Sequence, residues 1–310
     1  METVIVSFIG RKETALMLGK SSTKSDVEIH HYIDKGKNLT IVNPIGYPDK
    51  LYPLFVALNI SDLTLIEINE LNKELGETII ACDFLKKKGM FLVDVSKQHL
   101  MDSIKNMINT TNLQNWEFIV INEKSDYSKL KEKLMALETE KSNYTKITID
   151  HVFNVKGVGV VVLGVLHGGE ISSRENITLY PDKKEIQIKS IQENDIDLRD
   201  IKAKARVGLS LKNCTAEELS RNSVLSGKNL EVKSELKGKL NKSSFFKEEL
   251  KSGNQITLIS GLQEISCIYE EDNSEIKIKC IKPFTITEEK IILVRKDSGS
   301  MRIIGEFILN

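Results

Sequence analysis

Residues 147–181 read ITIDHVFNVKGVGVVVLGVLHGGEISSRENITLYP, and this stretch decides the fold of the second half of the chain. The glycines that interrupt its run of valine and leucine are Gly157, Gly159 and Gly164. β-Branched residues favour strands, and glycines inside a strand mark bulges, corners or close backbone approach. Gly168 and Gly169 supply a turn with positive φ. The stretch therefore predicts a β-hairpin in a tight, strongly bent barrel.

The chain before this hairpin alternates short apolar runs with longer amphipathic segments. The predicted strands are Thr3–Ile9, Val27–Ile33, Leu39–Val42, Leu63–Ile68, Met90–Val95 and Phe118–Ile121. The predicted helices are Thr14–Leu18, Asp49–Asn59, Glu74–Lys88, His99–Asn109 and Ser125–Glu138. Strands separated by helices are typical of crossover units, so we expect an α/β domain with a mostly parallel sheet.

Strand patterns dominate after the hairpin. The predicted strands are Glu185–Ile191, Ala205–Leu211, Val224–Leu225, Leu230–Leu236, Gln255–Ile259, Glu264–Tyr269, Ser274–Ile281, Lys290–Arg295 and Met301–Leu309. This pattern predicts two small β-barrels. A polar stretch, Thr139–Lys146, separates them from the α/β domain, and we place the three domains at residues 1–143, 144–227 and 228–310.

Composition limits the classes of partner. Lysine plus arginine equals aspartate plus glutamate at 44 each, so no bulk charge attracts DNA or an acidic membrane, and RNA contacts must come from local patches. The four cysteines are widely spaced, which favours free thiols over a disulfide framework or a zinc site. No signal peptide and no apolar run of about 20 residues are present, so we expect a soluble cytoplasmic protein.

Three blocks in the second domain resemble one family in order and spacing. They are DHVFNVKGVGVVVLGVLHGG, ITLYPDKKEIQIKSIQ and RVGLSLKNCTAEELSRNSVLS, within residues 150–226. They are similar to the translational GTPases of the elongation factor Tu type, and most similar to the archaeal selenocysteine-specific elongation factor. The last stretch, IILVRKDSGSMRIIGEFIL, resembles the final hairpin of the third domain of that family. The resemblance implies a P-loop GTPase-like α/β domain followed by two barrels like domains 2 and 3 of elongation factor Tu.

The P-loop of that family is degenerate here. The pattern GxxxxGK[ST] is needed because glycine backbone amides wrap the phosphates while the lysine and hydroxyl meet phosphate charge and Mg²⁺. The first strand leads to Gly10, but Arg11-Lys12-Glu13-Thr14 follows, without a second glycine at the required spacing. Gly19-Lys20-Ser21 lies too far along to close the same loop, and we interpret Gly19 as a helix C-cap.

The other nucleotide elements are altered as well. By the resemblance, the DxPGH motif corresponds to residues 43–47, where Asn43 replaces the aspartate, Gly46 is kept and Tyr47 replaces the histidine. The guanine-reading motif corresponds to Ser96, Lys97, Gln98 and His99, without its carboxylate. Phosphoryl transfer depends on positioning and charge neutralisation. We therefore expect no GTPase activity, and the predicted binding of GTP and Mg²⁺ is lost or weak.

The resemblance also implies a pocket for the 3′ end of tRNA on the second domain. Asp150, His151 and Phe153 would lie at its rim, with Arg206 on the facing strand. An aromatic ring, a carboxylate and an arginine suit a terminal adenosine and an amino group. The alternative is that Phe153 belongs to the core, His151 to the surface, and Arg206 pairs with a nearby acid.

A basic run opens the third domain and is a second candidate RNA or ribosome contact. Its lysines are Lys233, Lys237, Lys239 and Lys242. Glutamates alternate with them, which is also the pattern of an ordinary solvated face. The pair His30-His31 lacks a third ligand nearby, so no metal site is expected.

The sequence thus favours a non-hydrolysing, elongation-factor-like protein. We expect it to bind a tRNA end, a structured mRNA element, ribosomal RNA or the ribosome, in translation and, by its resemblance, in selenocysteine insertion beside a selenocysteine translation factor. One alternative is a GTP-binding elongation factor with an atypical nucleotide site. Another is a structural scaffold in a protein complex.

Overall fold

The computed structural model describes residues 2–137, 142–272, 275–299 and 301–310. The first part is an α/β domain. Its strands are β1 (Glu2–Ile9), β2 (Lys20–Lys24), β3 (Glu28–Asp34), β4 (Lys37–Asn43), β5 (Leu63–Ile68), β6 (Gly89–Asp94) and β7 (Glu117–Ile121). Its helices are α1 (Lys12–Leu18), α2 (Tyr52–Ile60), α3 (Lys73–Phe84), α4 (Met101–Ile108) and α5 (Asp126–Met135), with a 3₁₀ turn at Val95–Leu100.

These strands form one sheet in the order β2-β3-β4-β1-β5-β6-β7. The pairs β4–β1, β1–β5, β5–β6 and β6–β7 are parallel, while β2, β3 and β4 pair antiparallel. The predicted, mostly parallel sheet is confirmed. The carboxyl ends of β1, β4, β5 and β6 consequently lie at one edge, which is where open α/β sheets bind ligands.

Local departures from the prediction have identifiable causes. Strand β2 was not predicted, because its residues KSSTK are polar. It lies at the edge of the sheet and pairs only with β3. The helix predicted to reach Lys88 ends at Phe84, since Lys86 adopts a left-handed conformation (φ 54°) before β6. The Lys87 amide donates to the Cys82 carbonyl in the last turn of the helix at 3.0 Å, and its ammonium group donates to the Ser61 carbonyl at 2.6 Å. Gly19 does end α1, with its amide donating to the Ala15 carbonyl.

The second part is a β-barrel. Its strands are β8 (Lys146–Val155), β9 (Gly159–Gly168), β10 (Glu170–Ser172), β11 (Asn176–Tyr180), β12 (Lys184–Glu193), β13 (Ile196–Leu198), β14 (Asp200–Lys202), β15 (Ala205–Lys212) and β16 (Val224–Ser226). The barrel sheet has the order β11-β16-β8-β9-β15-β12-β13, and the pairing of β11 with β12 closes it, while β10 and β14 form a separate two-stranded sheet. β8 and β9 form the predicted hairpin, with Val152 opposite Val162. A core of isoleucine, leucine and valine fills the interior.

The third part is a second closed barrel. Its strands are β17 (Val232–Lys242), β18 (Gln255–Ser260), β19 (Gln263–Asp272), β20 (Glu275–Thr285), β21 (Ile291–Val294) and β22 (Ile303–Leu309), in the order β17-β20-β19-β18-β21-β22. The predicted fold class, an α/β domain followed by two small barrels, is confirmed. Two predicted element ends, Glu138 and Ser274, lie outside the described residues.

By packing, the chain forms two compact units. One contains Met1–Thr139 together with Lys242–Lys247 and Val294–Glu306, and the other contains Glu140–Asn241, Glu248–Leu293 and Phe307–Asn310. No helix in the described part of the chain is long and apolar enough to cross a membrane. The described residues also contain no group of three or more histidine, cysteine or acidic side chains that could hold a metal ion.

Candidate functional site

A cavity of about 340 Å³ opens at the carboxyl edge of the α/β sheet. Its lining residues are Ile9, Gly10, Lys12, Lys24, Glu28, Asn43, Pro44, Ile45 and Tyr47. Three of them, Gly10, Asn43 and Tyr47, belong to the nucleotide site that the sequence predicts. A cavity therefore lies where the resemblance places a nucleotide, but the side chains around it differ from those of a nucleotide site.

The groups that follow β1 are bound to a carboxylate of the chain itself. Glu67, near the end of β5, accepts hydrogen bonds from the Arg11 amide at 2.7 Å and from the Thr14 hydroxyl at 2.7 Å. The guanidinium of Arg11 donates to the same carboxylate at 3.1 and 2.7 Å. The side chain of Glu67 is only 4% exposed. The hydrogen bond to Glu67 is the main cause of the raised pKa of Arg11.

Gly10 is required by the approach of Glu67. A Cβ atom built on Gly10 would lie 2.6 Å from the Cβ of Glu67 and 2.5 Å from the ring of Phe8. Real Cβ atoms do not come so close to neighbouring atoms, so any other residue would displace both side chains. Glycine at this position is thus explained by internal packing.

A second carboxylate lies in the cavity wall. Glu28 is buried, and its Oε1 accepts from the Ser21 hydroxyl at 2.7 Å. Among the residues that the structure describes, Oε2 of Glu28 accepts no hydrogen bond, and its nearest cation is the ammonium group of Lys12 at 3.9 Å. The hydrogen bond from Ser21 is the main reason that the pKa of Glu28 is lowered. The cavity wall therefore carries the carboxylate of Glu28 together with the side chains of Lys12 and Lys24.

Residues 43–47 are held by hydrogen bonds within the first unit. The Asn43 amide group donates to the Gly10 carbonyl at 3.4 Å. The Gly46 amide donates to the Asp26 carbonyl at 2.8 Å. The Tyr47 hydroxyl donates to the Glu74 carbonyl at 2.7 Å, and burial raises its pKa. The Tyr47 hydroxyl is thus already engaged with α3.

The predicted guanine-reading residues do not line the cavity. Ser96, Lys97 and His99 lie in the 3₁₀ turn at Val95–Leu100, directly after β6. Asp94 accepts from the amide and hydroxyl of Ser96 at 2.9 and 2.6 Å, and these bonds are the main cause of its lowered pKa. The carboxylate of Asp94 therefore caps the turn that contains Lys97.

The second candidate site lies in the first barrel, where the four predicted residues come together. Asp150 is the bulged residue between Ile149 and His151 on β8, and it forms an ion pair with Arg206 on β15. Its side chain is fully buried, whereas that of Arg206 is 10% exposed. Nδ1 of the His151 ring donates to the Asp150 carboxylate at 3.1 Å. The Arg221 guanidinium adds a hydrogen bond to the Asp150 carbonyl at 2.9 Å.

Electrostatics keep Asp150 charged. Burial alone raises the pKa of a carboxyl group, but the charge of Arg206 and the hydrogen bonds of His151 and Arg206 outweigh it and lower the pKa of Asp150 to about 2. In the described chain, Nη2 of Arg206 and Nε2 of His151 have no hydrogen-bond partner. Both nitrogens are buried, so the site holds polar groups that no other group of the described chain satisfies.

An aromatic surface adjoins this ion pair. The rings of His151 and Phe153 are parallel within 3°, with centroids 6.0 Å apart. Phe153 is 42% exposed, so it does not belong to the core. Arg206 does pair with an acid, as the alternative interpretation has it, but the acid is the predicted site residue Asp150. The arrangement offers an exposed aromatic face beside a buried ion pair.

Sequence comparison places the chain in a family. The "Uncharacterized protein MJ0325" of Methanocaldococcus jannaschii is 34% identical over 310 residues, which span 98% of this chain and 99% of that protein. The chain belongs to the family of MJ0325. No protein-family model matches it. The selenocysteine-specific elongation factor of the same organism is 28% identical over 214 residues, which are 63% of this chain and 46% of that factor.

Solved structures show the same fold. The translation elongation factor SelB of Methanococcus maripaludis, in complex with the GTP analogue GppNHp, superposes with a TM-score of 0.84 over all of this chain and 79% of its own, at 18% identity. A bacterial selenocysteine-specific elongation factor gives a TM-score of 0.83 over 58% of its length, at 14% identity. The resemblance to these elongation factors is therefore confirmed.

The four predicted lysines lie on β17, and all four side chains are exposed. Lys233 pairs with Glu231 at 3.0 Å, and Lys237 lies opposite Lys277 on β20. The Lys242 ammonium group lies 5.3 Å from the centroid of the Phe246 ring. All four lysines are exposed on one strand, as a basic patch requires, but the charge of Lys233 is paired with Glu231. Their role in RNA binding stays a prediction.

Sequence reasoning missed Glu67, the carboxylate that binds Arg11 and Thr14, and Glu28, the carboxylate in the cavity wall. A signal for Glu67 was present, because it is the only charged residue in the apolar strand LTLIEI. Charged residues are rarely buried unless they are paired, so an acid in a central strand indicates a buried partner. No comparable signal marks Glu28, which is the first residue of β3.

Proposed function

We propose that the chain is an elongation-factor-like translation protein that binds RNA and does not hydrolyse GTP. Its similarity to selenocysteine-specific elongation factors supports the translational role. One observation supports the proposed loss of nucleotide function. The groups that follow β1 donate their hydrogen bonds to the carboxylate of Glu67.

The argument rests on what a P-loop offers to a phosphate. It offers backbone amides, a cation and a hydroxyl group. Here the Arg11 amide, the Arg11 guanidinium and the Thr14 hydroxyl are all bound to Glu67. Hydrogen bonds to a charged group are each worth about 1.5–3 kcal/mol, so a phosphate would have to replace several of them. Glu67 thus acts as an internal substitute for the anion.

One charge in the cavity wall opposes a nucleotide phosphate, although Lys12 and Lys24 also line the cavity. Glu28 would face any nucleotide phosphate with like charge, and removing that repulsion requires protonating a carboxylate whose pKa is already lowered. Asn43 is neutral and cannot replace a carboxylate that holds Mg²⁺. The residues present therefore do not fit a magnesium nucleotide, and the function proposed here uses neither GTP nor Mg²⁺.

Calorimetric titration with GTP and GDP, with and without Mg²⁺, tests this part of the proposal. We expect binding no tighter than about millimolar, or ~4 kcal/mol, and no response to Mg²⁺. A selenocysteine-specific elongation factor measured in parallel serves as the positive control. Micromolar, Mg²⁺-dependent binding would establish the alternative, a GTP-binding factor with an atypical site.

The barrel site supports RNA as the ligand, with a tRNA 3′ end as the form that its groups suit best. Base stacking needs an exposed aromatic face, which His151 and Phe153 provide. The neighbouring Arg206 has a guanidinium nitrogen that forms no hydrogen bond within the described residues. A terminal adenosine stacked on Phe153 would bring its ribose and phosphate towards this cation. By similarity, the process is translation, with selenocysteine insertion as the specific form proposed.

Crosslinking of RNA in cells tests the ligand. We expect crosslinks in the peptide that contains His151 and Phe153, and Phe153→Ala should weaken them about fivefold or more. Base stacking is worth about 1–3 kcal/mol per base, which corresponds to that factor. Ile196→Ala is the matched control, since Ile196 is another exposed apolar residue of the same barrel. Crosslinks to partner proteins alone would favour the scaffold alternative.

A further inference from the structure

Two cysteines face each other in the third domain. Cys267 on β19 and Cys280 on β20 are directly opposite in the antiparallel register, and their sulfur atoms are 3.6 Å apart. Both are free thiols. They belong to a different part of the chain from the cavity and the Asp150–Arg206 ion pair, and the proposed function does not use them. Their position nevertheless places two redox-active groups in contact.

The backbone already suits a covalent bond between them. Opposite residues of an antiparallel pair have Cα atoms about 4.5–5.5 Å apart. A disulfide needs a Cα separation of about 4.4–6.8 Å, which includes that range. Only the sulfur atoms must approach, from 3.6 Å to about 2 Å. Closing the bond therefore requires side-chain rotation within the existing strand pair.

The two thiols differ in burial and in hydrogen bonding. Cys267 is buried, whereas Cys280 is partly exposed. The Cys267 thiol has two acceptors within reach, the Ile265 carbonyl at 3.3 Å and the sulfur of Cys280 at 3.6 Å, and donation to Cys280 lowers the pKa of Cys280. The same contact and burial raise the pKa of Cys267. The thiolate is the reactive form, so the accessible member of the pair is also the more nucleophilic one.

We propose that Cys280 and Cys267 are a peroxide-reactive thiol pair, in which Cys280 reacts with peroxide first and Cys267 resolves the product. The thiolate of Cys280 attacks one oxygen of hydrogen peroxide, the O–O bond breaks, and hydroxide leaves while a sulfenic acid forms. The Cys267 sulfur then attacks the Cys280 sulfur, and the sulfenic hydroxyl leaves as water with the thiol proton. Two thiols are oxidised to one disulfide, and one peroxide is reduced to two waters.

The other cysteines lack these features. Cys82 is fully buried, and burial raises the pKa of its thiol to about 12. Cys214 is partly exposed, but burial raises the pKa of its thiol as well. Peroxide should therefore select the pair on β19 and β20. Cys214, the only other partly exposed cysteine of the four, provides the natural control.

Exposure of the full chain to dilute hydrogen peroxide, followed by alkylation in denaturant and mass spectrometry, tests the proposal. The chain has four cysteines, and we expect two of them to escape alkylation after oxidation. Mass spectrometry should then detect a pair of peptides joined by a disulfide between Cys267 and Cys280. Cys214→Ser should retain this disulfide. Cys280→Ser and Cys267→Ser should abolish it, and in Cys267→Ser dimedone should label Cys280 as a sulfenic acid.

Three results would overturn the proposal. They are full alkylation of all four thiols under conditions that oxidise glutathione, loss of two thiols in Cys280→Ser, and a disulfide between chains through Cys214. Circular dichroism of each variant shows whether it folds. Of the two variants within the pair, Cys280→Ser is less prone to misfolding, because Cys280 is partly exposed whereas Cys267 is buried.

Discussion

Glu77 on α3 and Arg302 form a buried ion pair within the first compact unit, although 225 residues separate them in sequence. Arg302 donates its backbone amide at 3.1 Å, its Nε at 3.0 Å and its Nη2 at 2.5 Å to the carboxylate of Glu77. The Glu77 side chain is fully buried and that of Arg302 is 12% exposed. Nη1 of Arg302 also donates to the Pro48 carbonyl at 2.9 Å. One guanidinium thus ties the Val294–Glu306 segment to α3 and to the residue after Tyr47.

Arg302→Ala should destabilise this unit by about 3–5 kcal/mol, because it leaves the buried carboxylate of Glu77 without a partner. Urea unfolding monitored by the fluorescence of Trp116 measures the change. Lys129→Ala is the control, since it breaks the exposed pair with Asp126, which should contribute less than about 1 kcal/mol. Equal effects of the two substitutions would show that the Glu77–Arg302 pair is no more than a surface contact.

Glu67→Gln should lower stability by about 2–3 kcal/mol, since it removes the charge from hydrogen bonds with Arg11 and Thr14 while keeping the shape. The same unfolding experiment measures it. Glu13→Gln is the control, because Glu13 is an exposed residue of α1 and should change stability by less than about 0.5 kcal/mol. A neutral result for Glu67→Gln would remove the argument that this carboxylate takes the place of an anion.

The stability of the first barrel should fall in acid through Asp150. Its pKa is lowered to about 2 in the folded chain, against about 3.9 when unfolded, so the folded state favours the charged form. The resulting stabilisation of about 2–3 kcal/mol is complete above pH ~5 and is lost as the pH falls towards 2. Urea midpoints of the wild type and of Asp150→Asn should therefore converge over this range. An NMR titration of the Asp150 carboxyl gives its pKa directly, and a value near 4 would contradict the prediction.

The lysines on β17 should affect RNA binding through salt dependence if they contact phosphates. Lys233→Gln, Lys237→Gln and Lys239→Gln together would then lower the slope of log K against log salt by up to about 0.7 per lost contact with a single strand. Filter binding of a tRNA acceptor-end RNA between low and physiological salt measures this slope. An unchanged slope would identify the lysines as a solvated face, as their alternation with glutamates suggests.

Sequence patterns were sufficient for the fold because most strands here are apolar and bounded by turn residues. β5 has the limits predicted for it, Leu63–Ile68, and the hairpin of β8 and β9 forms around its glycines. The polar strand β2 could not be found in this way, since its pairing with β3 rather than its composition makes it a strand. Periodicity thus predicts strands that bury side chains and misses strands held only by backbone pairing.

The sites were predictable only in part, for a different physical reason. The four residues of the barrel site lie on β8 and β15, and the resemblance to elongation factors predicted that they lie close together. Nothing in the sequence brings Glu67 to Arg11, Arg302 to Glu77 or Cys267 to Cys280, because these contacts depend on strand register and tertiary packing. The cysteines illustrate the limit: their spacing suggested unrelated thiols, and the antiparallel register made them neighbours.

Gly10→Ala and Gly76→Ala should change stability in opposite directions. A Cβ on Gly10 would lie 2.6 Å from that of Glu67, so the substitution should cost about 1–3 kcal/mol through displaced side chains. A Cβ on Gly76, inside α3, has no heavy atom within 4 Å and should stabilise the helix by about 0.5–1 kcal/mol. Unfolding midpoints of the two variants provide the comparison. If Gly10→Ala proves neutral, Glu67 has room to move, and the groups that it occupies would be open to another anion.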